Sequence, residues 1–227
     1  MLERSGVLDR LSQNNRIEVP TFEALLRLVR KGAYVGLCPR EVAQVYADYF
    51  ELKIIPLSDL SRYLNGLTTA ESDFTQVNAD GSISTGRLYI KRPGRARFEY
   101  APPDRSLVLA GGGQVAIFDA KSNQPPEQYP LRRTPLNLIL GPKIDLGSSA
   151  MVASHGEVAG MTHVLAQDPK HPDYGTIELI FSPAPVALTQ WIITDDLGSQ
   201  TTVILGEMVK GGDIPASLFN ITFEIER

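Results

Sequence analysis

The stretch IKRPGRARFEYAPPDRSLVLAGGGQVAIFD, residues 90–119, constrains the fold more than any other part of this chain. At its start Leu88 and Ile90 alternate with Arg87, Tyr89 and Lys91, and beyond a Pro-Gly turn Phe98 alternates with Arg97 and Glu99. A period of two marks half-buried β-strands, because successive side chains leave a strand on opposite faces. The two faces of such a sheet are unlike, so each must be covered in its own way. No catalytic group interrupts the run, which points to a binding scaffold rather than an enzyme.

A chain of 227 residues can bury one good core or one core with a satellite, and a formal net charge of -4 gives no general attraction to nucleic acid or anionic membrane. No apolar run approaches the roughly 20 residues that span a bilayer. The first residues, MLERSGVLDRLSQNNR, lack the basic-then-apolar order of a secretory signal, so no export signal is expected in the chain as written. A single cysteine, Cys38, leaves no internal disulfide and no cysteine-rich zinc site, and beside Leu37 and Pro39 it reads as a small buried apolar residue.

Two styles of sequence meet near Pro56. Residues 15–57 alternate short strand-like pieces with amphipathic helices: Thr21 suits an N-cap, Phe22, Leu25, Leu26 and Val29 form a helical stripe, and Pro39 opens a second helix carrying Val42, Val45, Tyr46 and Tyr49. From residue 57 a first helix is expected, with Ser58 as N-cap and Leu57, Leu60, Leu64 and Leu67 on one side. Strand-and-turn text follows, with a second apolar helix at Leu136, Leu138, Ile139 and Leu140 closed by Gly141. Further strands are expected at residues 161–167, 176–181, 187–195, 201–207 and 219–225. A meander is the simplest topology for roughly ten such strands. The fold class is therefore mainly β (α+β): an incomplete, curved antiparallel barrel covered by short lid helices, with an N-terminal β/α fragment over residues 1–56.

Residues 15–57, IEVPTFEALLRLVRKGAYVGLCPREVAQVYADYFELKIIPLSD at their centre, resemble a fragment of the effector-binding domain of LysR-type transcriptional regulators. The DNA-binding part of such regulators has no counterpart here. At most Thr21, at a helix N-terminus, could touch an anionic ligand, and capping alone accounts for it. Residues 57–227 resemble the outer-membrane lipoprotein carrier family, LolA. The pieces that carry this are DLSRYLNGLTTAESDFTQ, GRLYIKRPGRARFEY, PPDRSLVLAGGGQVAIFD, QPPEQYPLRRTPLNLILG, LTQWIITDDLGSQTTVIL and LFNITFEI, in order.

The resemblance implies an apolar cavity under a lid that accepts the acyl chains of lipoproteins. It also implies a periplasmic location and three kinds of partner: acylated lipoproteins, an inner-membrane lipoprotein-releasing ABC transporter and an outer-membrane receptor. A monomer with no cofactor is expected. Acyl chains need only a dry apolar lining, worth about 0.8 kcal/mol per buried methylene, so no chemical group is required. Leu88, Ile90, Phe98, Val108, Ile117, Phe118, Leu179, Phe181, Trp191, Ile193, Val203 and Leu205, with Leu136, Leu138 and Ile139, supply such a lining or an ordinary core. Leu60, Leu64 and Leu67 form the lid helix's inner side. Arg92 is implied by the family's KRP element to hydrogen-bond the lid and hold the empty cavity closed. The alternative is a cytoplasmic small-ligand sensor or a fusion with a β-scaffold.

Gly111 to Gly113 suit a tight hairpin rather than a phosphate loop, because neither a helix nor the lysine and hydroxyl of such a loop follows. His155, His163 and His171 are spaced for neither zinc nor a triad, and Asp195 and Asp196 before Leu197-Gly198 read as a turn. Lys91, Arg95 and Arg97 lack the aromatic platform of a nucleic-acid face. Asn220-Ile221-Thr222 matches a glycosylation triplet by chance inside an expected strand.

Overall fold

A computed structural model describes residues 55–122 and 124–226, within the second of the two units into which the chain divides, Ile54–Arg227. The regulator-like reading, with Thr21 and Cys38, falls up to residue 54 on positions outside the described ones.

Helix α1 (Leu57–Gly66) precedes β1 (Thr69–Val77), β2 (Ile83–Lys91), β3 (Ala96–Tyr100), β4 (Leu107–Gly111), β5 (Gln114–Phe118) and β6 (Glu127–Pro130). After a 3-10 turn at Leu131–Arg133 and helix α2 (Asn137–Leu140), the chain continues with β7 (Val152–Val158), β8 (Met161–Gln167), β9 (Thr176–Pro183), β10 (Val186–Thr194) and β11 (Gln200–Leu205). The two-residue β12 (Val209–Lys210), a 3-10 turn at Ala216–Phe219 and helix α3 (Ile221–Ile225) complete it. The strands form one antiparallel sheet in the order β6-β5-β4-β3-β2-β1-β11-β10-β9-β8-β7, with β12 added to β1. Two meanders therefore replace the single one expected. Residues 131–151 leave β6 and begin β7 at the far edge, and the second meander runs back until β11 pairs with β1, Phe74 opposite Leu205.

The sheet is open but strongly curled. Phe98 on β3 and Trp191 on β10 are separated by three strands, a distance of roughly 19 Å in a flat sheet. Their rings nevertheless meet edge to face with centroids 6.1 Å apart, which requires the two halves to wrap towards each other. One face of both halves, Leu88, Ile90, Phe98, Val164, Leu179, Phe181, Trp191 and Val203, joins α1 and residues 131–146 in a single buried cluster.

Helix α1 starts one residue before the expected cap. Pro56 occupies the N-cap position with no side-chain bond, and Ser58 lies inside the helix. The hairpin at Gly112 and Gly113 is tight, with φ of +57° and +81°, values that favour glycine. Asp195 accepts from the backbone N–H groups of Leu197 (3.0 Å) and Ser199 (2.8 Å), making the expected turn.

The expected strand over residues 219–225 is instead a 3-10 turn and a short helix. Asn220 decides this: its side chain accepts from Phe223 N at 3.2 Å, an N-cap bond that diverts the chain into α3. This C-terminal arm covers the outer face of β2 to β5, where Ile214, Phe219 and Ile221 pack with Leu109, Tyr89, Leu107 and Phe118. Phe118 therefore belongs to this second cluster, not to the inner face. Two basic residues of the KRPGRAR run, Lys91 and Arg97, fasten the arm. Buried Arg97 donates to Glu99 (2.6 Å), Glu224 (2.8 Å) and the Leu218 carbonyl (3.0 Å), while Lys91 donates to the Ile214 carbonyl at 2.6 Å.

A Cβ at Gly111 would overlap the backbone oxygen of Phe219. Gly111→Ala is expected to lower stability by about 1–3 kcal/mol and to strip amide-exchange protection from residues 214–225. Urea unfolding and hydrogen exchange check this, and an unchanged midpoint would show that the arm is not seated through Gly111.

Candidate functional site

The inner face of the sheet presents a continuous apolar floor, and two pieces of chain lie over it. Leu60, Leu64 and Leu67, at the helical spacing that puts them on one side of α1, are fully buried against it. Residues 131–146 add Leu131, Leu138, Ile139, Leu140, Ile144 and Leu146, all buried in the same cluster. Among the floor residues an edge-to-face aromatic chain runs from Tyr100 to Phe74 (5.1 Å), Phe74 to Phe98 (5.6 Å) and on to Trp191. Phe181 meets Tyr63 of α1 at 6.1 Å. The concavity is occupied by the lid's own side chains. A cavity of about 20 Å³ lies between residues 132–138 and the ends of β8 and β9, lined by Leu138, Met151, Ala166 and Ile177 with Arg132 and Arg133.

Most of the apolar residues singled out in the sequence meet in this interior: Leu88, Ile90, Phe98, Leu179, Phe181, Trp191, Val203 and Leu205 from the sheet, Leu138 and Ile139 from the lid segment. Val108, Leu136 and Ile193 are half-buried at its margin. Ile117 is a correction, exposed to 37% and outside the cluster. It pairs with Val108 on β4 and Glu127 on the short edge strand β6, beyond the cover of the lid.

Arg92 stands in the turn between β2 and β3. Its guanidinium donates to the carbonyl of Leu64 in α1, to the Gly141 carbonyl at 2.6 Å and to Asn65 Oδ1 at 3.3 Å. Its Nε is buried without a partner. Among the described residues no carboxylate meets the group, and its burial depresses its pKa. Next to it, Gly94 N donates to Leu140 O at 2.8 Å. One sheet turn thus holds both lid pieces.

Two polar residues of α1 were not singled out from the sequence. Asn65 donates to Ile144 O at 2.7 Å and accepts from Ile144 N at 3.0 Å. Ser61 donates to Leu57 O at 2.6 Å and accepts from Leu146 N at 2.9 Å. Nothing in PKIDLG announces such partners, since the pairing is tertiary. Val164, Ala166 and Ile177 were missed too, although their alternation in β8 and β9 could have found them. The histidines serve local contacts: His163 sits 2.9 Å from Glu178, and His171 stacks on Tyr174.

The model of the family described as outer membrane lipoprotein carrier protein LolA matches residues 65–222. This chain belongs to the LolA family. An outer-membrane lipoprotein carrier protein of Methylococcus capsulatus is 26% identical over 175 residues, covering 74% of this chain and 83% of the relative. One of Chromohalobacter salexigens is 28% identical over 176 residues, covering 73% and 81%. Among solved structures, a putative outer membrane lipoprotein-sorting protein domain from Vibrio parahaemolyticus aligns with a TM-score of 0.45 at 9% identity, over 75% of this chain and 97% of that one. The matched region leaves out the regulator-like stretch.

Burial of the Tyr100 ring at the end of the aromatic chain, with Asp104 nearby, raises its phenol pKa from 10.0 to about 12. The folded state holds that proton more tightly than the unfolded chain, so the contribution is full below pH 10 and is lost as pH rises towards 12. Tyr100→Phe is expected to move the alkaline fall in stability to higher pH, measured by denaturant midpoints across that range. An unshifted fall would show that the Tyr100 phenol has the same pKa in the folded and unfolded states.

Proposed function

We propose that this protein is a periplasmic lipoprotein carrier whose inner face, once the lid has swung away, receives the acyl chains of a lipoprotein. The carrier is residues 57–227, with the boundary near Pro56. The observation that carries the reading is that the apolar face is covered by leucines on separate chain pieces, tied to the sheet through Arg92. Replacing lid leucines by acyl chains exchanges one apolar cover for another, so the hydrophobic terms largely offset. The balance then rests on the polar bonds that close the lid. The names of the relatives point the same way.

In this reading the chain works as a monomer, without cofactor or chemical step. It takes lipoproteins from an inner-membrane releasing ABC transporter and yields them to an outer-membrane receptor. Arg92 competes with cargo by stabilising the closed lid. A hydrogen bond to a charged group contributes about 1.5–3 kcal/mol, so losing the bonds of Arg92 favours the loaded form by roughly tenfold or more.

Arg92→Leu is therefore expected to hold a triacylated lipoprotein more tightly and to pass it to acceptor membranes more slowly. Native mass spectrometry of the full chain and a transfer assay read the two effects. Unchanged transfer would remove Arg92 from the mechanism, and no cargo on the unsubstituted chain would overturn the carrier reading.

A further inference from the structure

The lid is made of two pieces far apart in sequence, α1 and residues 140–146, and the hydrogen bonds among them are unevenly distributed. Between the two pieces there are three: both bonds of Asn65 to the peptide groups of Ile144, and that of Ser61 to Leu146 N. Asn65 therefore pairs with Ile144 as a neighbouring strand would, one donor and one acceptor to the same residue. Leu60, Leu64, Ile144 and Leu146 pack in the same cluster behind these bonds. The bonds from the sheet to residues 140–146 come from a single turn, through Arg92 to Gly141 and Gly94 to Leu140. Arg92 also reaches α1 at the Leu64 carbonyl and at Asn65 itself.

We infer that Asn65 is a positioning residue that joins α1 and residues 140–146 into one rigid lid, so that cargo lifts both pieces off the sheet together. The inference rests on the carrier reading. Its physical basis is a difference in what separation costs. Letting go of the 92–94 turn returns the partnerless Nε of Arg92 to water, which offsets part of the bonds lost. Parting α1 from residues 140–146 recovers no such group and breaks three satisfied bonds with their apolar packing. The turn carries four bonds, but acyl chains replace the lid's apolar contact with the sheet while nothing in the cargo replaces the bonds between the two pieces; the turn is therefore the seam that cargo opens, and both lid pieces are on the same side of it.

The test places nitroxide pairs at exposed Arg62 on α1, Lys143 on the lid segment and Gln200 on β11 in the full-length chain, with Cys38 replaced by serine. Distances are measured with and without an equimolar triacylated lipopeptide. Loading should lengthen 62–200 and 143–200 together by about 4 Å or more, one layer of carbon at van der Waals contact, and leave 62–143 unchanged. In Asn65→Ala the 62–143 distribution should broaden on loading. A lengthened 62–143 distance in the chain with Asn65 intact, or an equally narrow one in Asn65→Ala, would overturn the inference.

Arg92→Leu without lipopeptide separates the two possible failures, since it loosens the seam with no cargo. Joint broadening of 62–200 and 143–200 there, with 62–143 sharp, supports the single lid even if the lipopeptide does not bind. Broadening of 62–143 in that variant counts against the single lid whatever the cargo does.

Discussion

The structure depends on covering a strongly curled, apolar sheet face. Curling brings Phe98 and Trp191 together across three intervening strands and creates an interior that the sheet cannot fill by itself. In this structure the cover is supplied by leucines of α1 and residues 131–146, borrowed from elements with few polar bonds to the sheet. On the proposed carrier reading such a cover is exchangeable. Leucine and an acyl chain are equally content against Phe, Trp and Leu, since burial depends on apolar area rather than on which molecule supplies it. On that reading, a fold of this kind needs a directional interaction to decide between its covers, and Arg92, forked between two carbonyls, would be that interaction.

The outer face solves the opposite problem. Leu107, Leu109 and Phe118 would leave an apolar patch there, and the C-terminal arm covers it, held above all by the buried ion pair of Arg97 with Glu224 of α3, while Glu99 on Arg97's own strand steadies the guanidinium. Where the lid is held by a charge facing carbonyls, the arm is held by a charge facing carboxylates. Removing one partner of a buried ion pair leaves an uncompensated charge, so the arm is the more permanent of the two covers. The two faces announced by the alternation of Arg87 to Lys91 therefore differ in how firmly they are closed, as well as in composition.

Much of this was legible because it is local. The period of two located β2 to β5 and β8 to β11, the Leu60, Leu64, Leu67 spacing found the inner side of α1, and the glycines at 112 and 113 named their hairpin. What failed depended on distance. The alternation of Phe219, Ile221, Phe223 and Ile225 fits a strand, and only Asn220 turning its side chain back to Phe223 N converts it to a helix. The two-meander order turns on where residues 131–151 deliver the chain, which no period encodes. Ile117 reads like its neighbours in β4 and β5, yet it lies beyond the lid. Ser61 looks like a surface residue of a helix until Leu146 is brought against it, and Asn65, which stays exposed, finds its partner Ile144 almost as far along the chain.

Trp191 is the chain's single tryptophan and lies buried at the centre of the inner face, so its fluorescence reports directly on what touches that face. The most direct test is titration of the full chain with a triacylated lipopeptide brominated along its acyl chains, with native mass spectrometry confirming binding in the same samples. Quenching that saturates at one equivalent, and is absent with an unbrominated lipopeptide, is the result expected if acyl chains replace the lid against Trp191. Stoichiometric binding with unquenched fluorescence would place the cargo elsewhere and contradict the exchange of covers.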